Sequence, residues 1–379
     1  MMDIETFAHT RSGGWGAGFP TWDSERTLVT VFGASDRVRD SQAIDELVAA
    51  FPRAHVVGCS TSGEILETSI NDDSLAVAVC RFEHTRLRSL AVPVGDAANS
   101  RAAGKRLAEA LAAPDLRALL IFSDGLCVNG SELLGGLNEV LPASVVVTGG
   151  LAGDGARFQN TWVIADRAPR AGWISGVGLY GERVHVGHGS KGGWDAFGPE
   201  RVVTKSKGNV LYEIDERPAL ALYKEYLGDR AAGLPGTALL FPLTLRASRG
   251  AAKSLVRTIL SIDEAAQSMT FAGDIPQGYL AQLMRANFDR LVAGAAEAAR
   301  LTSEGSNDTT ASLALAISCV GRRLVLGQRA EEEVEAARDA LPRSARLLGF
   351  YSYGEISPYA TGQCDLHNQT MTLTNIQER

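Results

Sequence analysis

Three loops in the sequence end in a glycine followed by a carboxylate, and they carry many of the side chains that could bind a ligand. They are Gly-Cys-Ser-Thr-Ser-Gly-Glu (58–64), Thr-Gly-Gly-Leu-Ala-Gly-Asp (148–154) and Gly-Phe-Tyr-Ser-Tyr-Gly-Glu (349–355). Glycine can adopt a turn conformation that is unfavourable for other residues. The turn places each carboxylate just beyond the end of a strand. Open α/β sheets place ligand sites at such strand ends. The candidate ligand-binding residues in these loops are Cys59, Ser60, Ser62, Glu64, Tyr351, Tyr353 and Glu355.

The carboxylates of these loops have two interpretations. Glu64 and Glu355 could converge on a ligand amine or cation across a common cavity, or each could accept backbone N–H bonds within its own turn. The sequence favours neither interpretation for these two residues. A structural role is favoured for Asp154, which lies in a glycine-rich run. The neighbouring hydroxyl and thiol groups predict that any ligand bound here is polar.

Two histidines are candidates for binding haem or another ligand. His188 lies between two glycines, and Trp194 and Phe197 follow it. An imidazole on haem iron leaves the opposite position open for a diatomic gas, the glycines could let a flat macrocycle approach, and the aromatic rings could line its slot. The alternative is a histidine hydrogen-bonded at a strand end. His367 could be a second axial ligand or a ligand-binding donor, although a turn histidine satisfied by backbone is favoured.

Cys59 raises the alternative of a thiol-dependent enzyme. A cysteine nucleophile needs a base, which His188 or His367 would have to supply. A buried cysteine at a strand end is the favoured interpretation. Residues 176–181 form a literal G-x-G-x-x-G, but a strand pattern follows them instead of the helix that would bind dinucleotide phosphates. We therefore expect no enzymatic activity.

The elements that would position these residues occur in a repeated order. A strand is followed by a helix, a proline that ends the helix, a second strand and a glycine–acid loop. Such an order predicts an internal structural repeat. Its three occurrences have helices over 36–51, 131–141 and 331–341, and the prolines are Pro52, Pro142 and Pro342.

Alternating strands and helices predict an α/β protein. The expected architecture is two pseudo-repeated α/β halves with mixed β-sheets flanked by helices. The halves would comprise residues 28–218 and 219–379, after a loosely held N-terminal arm over residues 1–27. A long helix is predicted over residues 279–301.

Composition restricts the classes of partner. The 379 residues include 37 basic and 44 acidic side chains, giving a formal net charge of −7 without a basic cluster, so nucleic acid is not expected as a partner. No apolar run is long enough to predict membrane insertion, and no signal peptide is recognised. The five cysteines are scattered, without C-x-x-C spacing. We expect a reduced, cytoplasmic protein.

Six short motifs follow one another along the chain. They are Val-Val-Gly-Cys-Ser-Thr-Ser-Gly-Glu-Ile (56–65), Phe-Ser-Asp-Gly (122–125), Gly-Gly-Leu-Ala-Gly-Asp-Gly (149–155), Val-Gly-His-Gly (186–189), Gly-Asn-Val-Leu-Tyr-Glu-Ile-Asp (208–215) and Leu-His-Asn-Gln-Thr (366–370). Together they resemble motifs of the FIST family. Residues 28–218 resemble its N-terminal domain, and residues 219–374 are similar to its C-terminal domain.

The resemblance implies intracellular signal transduction by a sensor of small ligands such as amino acids. Some family members are implicated as haem proteins that respond to nitric oxide and act on histidine kinases or cyclic-di-GMP enzymes. This sequence carries no kinase, GGDEF, EAL or methyl-accepting segment, so we expect the signal to pass to a separate protein. Haem at His188 is the most specific version of this hypothesis. The alternatives are a sensor of an amino acid or similar polar metabolite and a thiol-dependent enzyme using Cys59.

Overall fold

The computed structural model describes residues 2–39, 41–251, 254–303, 310–358 and 362–379. Within these ranges the chain forms an α/β structure with four sheets. The first α/β unit consists, in chain order, of β1 (Asp3–Thr10), β2 (Gly14–Trp15), β3 (Thr27–Ala34), α1 (Gln42–Ala50), β4 (His55–Thr61), β5 (Glu64–Leu66), β6 (Ser69–Asn71) and β7 (Ser74–Arg81).

The second unit repeats this plan and adds a helix before its first central strand. Its elements are β8 (Arg86–Pro93), α2 (Ser100–Leu111), β9 (Leu116–Ser123), α3 (Gly130–Asn138), β10 (Val146–Leu151), β11 (Val163–Ala165), β12 (Ala168–Arg170) and β13 (Trp173–Tyr180).

The third unit begins with β14 (Val184–Lys191) and is then interrupted by a separate sheet. We call this inserted part the fourth sheet. It contains β15 (Trp194–Lys207), β16 (Val210–Ile214), β17 (Arg217–Pro218), α4 (Ala219–Leu227), β18 (Leu243–Arg246), β19 (Ser254–Arg257), β20 (Ile259–Asp263), β21 (Ser268–Phe271) and β22 (Leu280–Ala286).

The third unit resumes after β22. Its remaining elements are α5 (Phe288–Leu301), β23 (Ser312–Cys319), α6 (Val320–Leu326), α7 (Ala330–Ala340), β24 (Ala345–Ser352), β25 (Gly354–Pro358), β26 (Cys364–His367) and β27 (Met371–Glu378). Short 3-10 turns occur at Ser35–Arg39, Ala97–Asn99, Gly228–Gly233, Gly236–Leu240 and Gly327–Arg329.

The three units share one topology. Each sheet has a central parallel pair, β3–β4, β9–β10 or β23–β24, with two antiparallel strands on one side, to which the first sheet adds the short strand β2. On the other side it receives a hairpin from another unit. β11–β12 of the second unit joins the first sheet, β25–β26 of the third joins the second, and β5–β6 of the first joins the third. The exchange closes a ring, and its three units correspond to the three occurrences of the repeat that the sequence predicts.

Each glycine–acid loop is the point where the chain crosses from one sheet to the next. The strands before these loops approach their parallel partners closely at glycine. A Cβ on Gly58 or Gly149 would lie 1.7 or 1.8 Å from the carbonyl oxygen of the neighbouring strand, and on Gly349 it would lie 1.9 Å away. Gly58 and Gly149 also have φ of 151° and 147°, which side chains disfavour. The repeated glycine is therefore a packing requirement of the sheet.

Aromatic rings from the three units meet in the core. The ring centroids of Phe32 and Phe350 are 4.5 Å apart, and those of Phe32 and Phe122 are 5.3 Å apart. All three side chains are completely buried. The hydrophobic centre therefore joins all three units, which the exchanged hairpins already connect through backbone hydrogen bonds.

Two expectations about the elements were wrong. Residues 3–10 do not form a loose arm, because β1 pairs with β7 along all eight of its residues. The predicted helix over 279–301 is a strand, β22, followed by α5. The break comes at Asn287, whose side chain accepts a hydrogen bond from the Arg290 N–H and caps the helix.

The fourth sheet contains strands from before and after residue 218, the predicted domain boundary. β15, β16 and β17 precede the predicted boundary, whereas α4 and β18 to β22 follow it. Over the described ranges, none of the helices combines the length and apolarity that crossing a bilayer requires.

Candidate functional site

A cavity of about 860 Å³ lies between β14, the end of α5, β19 and the segment that joins β26 to β27. We call it the His188 cavity. Its volume falls within the range of roughly 300–1,000 Å³ that is usual for small-molecule and cofactor sites. The residues that line it are Val186, Gly187, His188, Gly189, Ser190, Lys191, Gly192, Ser254, Leu255, Val256, Leu301, Thr302, Pro358, Leu366, His367, Asn368 and Thr370.

The structure brings the two candidate histidines, His188 and His367, to this one cavity. The His188 imidazole is half-buried and has no hydrogen-bond partner among the described residues. Burial lowers the pKa of His188, because the charged form loses hydration. The neutral ring keeps a nitrogen lone pair that could bind a metal or accept a hydrogen bond from a ligand.

His367 is held by the protein on both ring nitrogens. Its Nε2 lies 3.1 Å from the Ser357 carbonyl oxygen, and its Nδ1 lies 3.4 Å from Ser190 Oγ. A carbonyl only accepts, so Nε2 must donate and Nδ1 must then accept in the neutral ring. His367 therefore builds the wall of the cavity, and His188 is better suited to bind an occupant directly.

The slot expected around His188 is not formed as predicted. A Cβ on Gly187 would lie 2.0 Å from the carbonyl oxygen of Thr302, the residue after α5, and a Cβ on Gly189 would lie 2.1 Å from that of Ala298 in α5. These glycines therefore allow the helix to pack against β14. Trp194 is not among the lining residues and donates its indole N–H to the Gln369 carbonyl oxygen. Phe197 packs in the core of the fourth sheet. Helix packing explains the glycines without a macrocycle.

Glu64 lies in the crossover from the first sheet to the third and is completely buried. Its carboxylate accepts hydrogen bonds from the Ser74 N–H at 3.0 Å, the Ser74 hydroxyl at 2.9 Å and the Thr61 hydroxyl. Burial raises the pKa of Glu64 to about 7. These contacts correspond to the structural interpretation, in which the carboxylate fixes its own turn.

Glu355 makes equivalent contacts in the crossover from the third sheet to the second. Its carboxylate accepts from the Ser352 hydroxyl at 2.9 Å, the Thr370 N–H at 3.2 Å and the Thr370 hydroxyl at 2.8 Å. Burial raises the pKa of Glu355 to about 8. Neither Glu64 nor Glu355 lines the His188 cavity, and Glu355 lies behind its wall residue Thr370. The expected cavity bounded by both carboxylates is replaced by two separate turns.

Cys59 is buried in the core of the three units and has no exposed surface. Burial raises the pKa of its thiol well above the usual range. A nucleophilic cysteine needs an accessible thiolate. The hypothesis of a thiol-dependent enzyme at Cys59 therefore loses its physical basis.

The remaining hydroxyl candidates also serve the fold. The Ser60 and Ser62 oxygens accept hydrogen bonds from the Trp162 N–H at 3.1 Å and the Gly155 N–H at 3.0 Å. The hydroxyl of Tyr351 donates to Glu333. Tyr353 donates to Asp154, which also accepts from three backbone N–H groups, as its favoured structural role requires. Ser62 additionally lines a smaller cleft of about 220 Å³.

Several lining residues were missed in the sequence. Asn368 and Thr370 belong to the Leu-His-Asn-Gln-Thr motif that contains His367, a signal that could have identified them. Lys191 lies two residues after the histidine motif. Residues 254–256 gave no signal, because they reach the cavity only through the folding of the fourth sheet. Within the described part of the chain, no three or more His, Cys, Asp or Glu side chains are grouped closely enough to hold a metal ion.

Comparison with known families agrees with the motifs. Residues 27–217 match the FIST N domain, and residues 219–358 match the FIST C domain. A comparison with curated proteins gave no match. FIST domains are associated with small-ligand sensing in signalling proteins. Because the two matches cover nearly the whole chain, this protein belongs to the FIST family.

Proposed function

We propose that the protein is a sensor whose small ligand binds in the His188 cavity. The observation that carries this proposal is the origin of the cavity wall. β14 belongs to the FIST N match, whereas residues 254–256, the end of α5 and Pro358 belong to the FIST C match. An occupant would therefore contact both matched regions at once.

The position of the cavity also favours transmission of a signal. β14 belongs to the third sheet and β19 belongs to the fourth, so a ligand between them favours the arrangement of the two sheets that it binds best. The family relation supports a separate signalling protein as recipient, of the histidine kinase or cyclic-di-GMP enzyme class.

A polar metabolite such as an amino acid is the first ligand candidate, because polar side chains are distributed around the cavity. The test is a thermal-shift screen of the common amino acids and related metabolic acids. A ligand should raise the melting temperature of the wild type and lose that effect in His188→Ala. His185→Ala is the matched control, since His185 lies on the same strand and does not line the cavity. Stabilisation by no compound, or hits unaffected by His188→Ala, would contradict the proposal.

Haem is the second candidate, favoured by the imidazole of His188, which has no hydrogen-bond partner among the described residues. The size of the cavity fits a cofactor, and Lys191 could pair with a propionate, whereas the glycines do not provide a slot. Haem would supply iron with a position open to a diatomic gas such as nitric oxide. Hemin titration should then give a Soret band that shifts or disappears in His188→Ala but persists in His185→Ala. A protein that leaves the hemin spectrum unchanged would end the haem version.

A further inference from the structure

The His188 cavity is bounded by strands that lie at the edges of three different sheets. β14 is the outermost strand of the third sheet, β19 of the fourth and β26 of the second. Each of them contributes residues to the cavity wall. An edge strand has main-chain N–H and C=O groups along its open side that can pair with a further strand. The cavity therefore lies among backbone groups of the kind that bind an extended chain.

The pairing of β14 with β27 shows which main-chain groups of β14 face away from the third sheet. The Arg379 N–H donates to the Arg183 carbonyl oxygen at 2.9 Å, and the antiparallel register continues from there along β14 without a shift. In such a ladder, pairs that exchange hydrogen bonds alternate with pairs that do not. The N–H and C=O groups of Val186, His188 and Ser190 therefore point away from β27, and all three residues line the cavity.

The three edges differ in what covers their main-chain groups. On β19, the Val256 carbonyl oxygen accepts from Arg257 Nη1 at 3.2 Å. On β26, the Leu366 carbonyl oxygen accepts from the same nitrogen at 3.1 Å, and the Cys364 carbonyl oxygen accepts from the Asn138 amide at 2.9 Å. Among the described residues, no hydrogen bond reaches the outward main-chain groups of β14. β14 is therefore the open edge of the cavity.

β14 also lacks the features by which proteins usually protect an edge strand. Protected edges are short, bulged or interrupted by proline or charged side chains. β14 is eight residues long and regularly paired, and residues 186–190 include no proline, lysine, arginine, aspartate or glutamate. A cavity of about 860 Å³ has room for one short extended chain and not for another sheet.

We infer that the ligand of the His188 cavity is a short peptide, of about three to five residues, that binds in an extended conformation as an added strand on β14. The inference rests on the proposed ligand site and specifies its ligand class. The outward groups of β14 recur at every second residue, roughly 6.5–7 Å apart, and the main chain of an extended peptide repeats its donors and acceptors at the same interval. A single amino acid could pair with only one of these positions.

His188 keeps a role in this arrangement. Side chains alternate between the two faces of a strand, so His188 lies on the face of β14 opposite to Gly189, which packs against α5. Peptide side chains on the same face would lie beside the imidazole. The main chain of β14 would thus provide the hydrogen bonds, and His188 would contribute to the choice of peptide.

The test begins with a mixture of free tri-, tetra- and pentapeptides of random sequence, screened by affinity selection and mass spectrometry. The strongest binder is then synthesised with one N-methyl group on each amide in turn. In an added strand only alternate residues direct their N–H towards β14. N-methylation should therefore weaken binding by about tenfold or more at every second position and by less than about threefold at the positions between.

A variant of the protein tests the other side of the same contact. Ser190→Pro removes one outward N–H of β14 without removing a bond to β27, and edge strands tolerate proline where the N–H faces outward. Ser190→Ala is the matched control, because both variants lose the hydroxyl and only proline loses the N–H. The binder should bind Ser190→Pro about tenfold or more weakly than Ser190→Ala. Thermal denaturation shows whether both variants are folded.

Hydrogen exchange of the wild-type protein provides a measurement that does not depend on the folding of a variant. The bound peptide should slow exchange of the amides of β14, because their open side becomes paired, and should leave β23, which is paired on both sides already, unchanged. Slower exchange in β23 but not in β14 would contradict strand addition.

The outcomes distinguish this inference from the proposed function. Equal effects of N-methylation at neighbouring positions, or equal affinity for Ser190→Pro and Ser190→Ala, would overturn the added strand. Amino acids or other small compounds that bind and depend on His188, in the absence of any peptide binder, would overturn the ligand class and leave the sensing site intact. Binding of neither peptides nor small compounds in the cavity would refute both proposals.

Discussion

Glu64 and Glu355 show how similar residues in two repeats perform the same structural task. Each carboxylate accepts a hydrogen bond from a hydroxyl three residues before it, on Thr61 or Ser352. It also accepts from the N–H and the hydroxyl of Ser74, which begins β7, or of Thr370, which immediately precedes β27. The carboxylate thus ties the crossover to the next strand. Asp154 fixes its own loop by accepting hydrogen bonds from three backbone N–H groups. Burial acts to raise the pKa of Asp154, but these hydrogen bonds and that from Tyr353 outweigh it, so the pKa is lowered. Burial instead raises the pKa of both glutamates.

The raised pKa of Glu355 predicts a dependence of stability on pH. Its ordinary value is 4.5 and its folded value is about 8, so the folded state binds more protons between these values. Its stabilising contribution is complete below pH 4.5 and is lost as the pH rises through about 8. Relative to Glu355→Gln, the free energy of unfolding of the wild type should fall by roughly 1 kcal/mol per pH unit in this window. Urea denaturation at a series of pH values measures it.

The control for this experiment is Glu331→Gln, which changes an exposed glutamate on α7 and should follow the wild-type curve. Comparing variants cancels the titration of other groups, including His188, whose lowered pKa acts in the opposite direction. Parallel curves for the wild type and Glu355→Gln would show that Glu355 is ionised in the folded protein across the window.

The contact between β14 and α5 decides what surrounds the candidate site. Gly187 and Gly189 leave room for carbonyl oxygens of the helix, so the strand and the helix touch without side chains between them. The same strand contributes His188 to the cavity, and the end of the same helix contributes Leu301 and Thr302. The glycines therefore set the position of two walls of the site although they are not needed to bind its occupant.

Gly189→Ala tests this role. The new Cβ would lie 2.1 Å from the Ala298 carbonyl oxygen and 2.8 Å from the Leu301 Cβ, so the strand and helix must separate. The ligand-free protein should lose about 1–3 kcal/mol of stability, which is typical of overpacking. Chemical denaturation measures it, with Gly18→Ala as a control because no atom lies within 4 Å of its added Cβ. A neutral Gly189→Ala would favour a ligand slot over helix packing.

The whole molecule is a ring of three units with the fourth sheet inserted between β14 and α5. The His188 cavity lies beside this insertion, where the fourth sheet contacts the ring. Arg257, which is buried, connects the two parts by donating to the Leu366 carbonyl oxygen at 3.1 Å and to the Asp274 carbonyl oxygen at 3.1 Å. Asp274 in turn accepts from the Asn129 amide at 3.1 Å. These polar contacts hold β19 against the segment that carries the polar wall.

Arg257→Met should loosen the fourth sheet selectively. The substitution keeps much of the buried length but removes hydrogen bonds that cross between the sheets. Hydrogen exchange should become faster in β18 and β19, while β9 and β10 in the ring remain protected. Mass spectrometry of peptides measures it, and Arg249→Met controls for loss of an arginine from an exposed position of the same part. Uniformly faster exchange would mean that the ring and the fourth sheet unfold together.

The sequence by itself determined the α/β class, the repeated order of strand, helix, proline and glycine–acid loop, and membership of the FIST family. These features are local, since spacing and turn residues act within a few positions of the chain. It also singled out His188 and His367 as candidates, which the structure places in the wall of one cavity, although the glycines and aromatic rings near His188 do not form the expected slot. Only the tertiary structure decided that each hairpin completes a neighbouring sheet and that the fourth sheet interrupts the third unit.

The tertiary structure also decided where each candidate side chain lies. Glu64 and Glu355 turn inward, where they accept hydrogen bonds from the N–H groups of Ser74 and Thr370 beside the crossovers. The position of these donors depends on which sheet receives each hairpin. Residues 254–256 and Asn368 meet His188 across long stretches of chain. Ring closure and strand register bring them together, and both arise from contacts between distant segments that local sequence patterns do not encode.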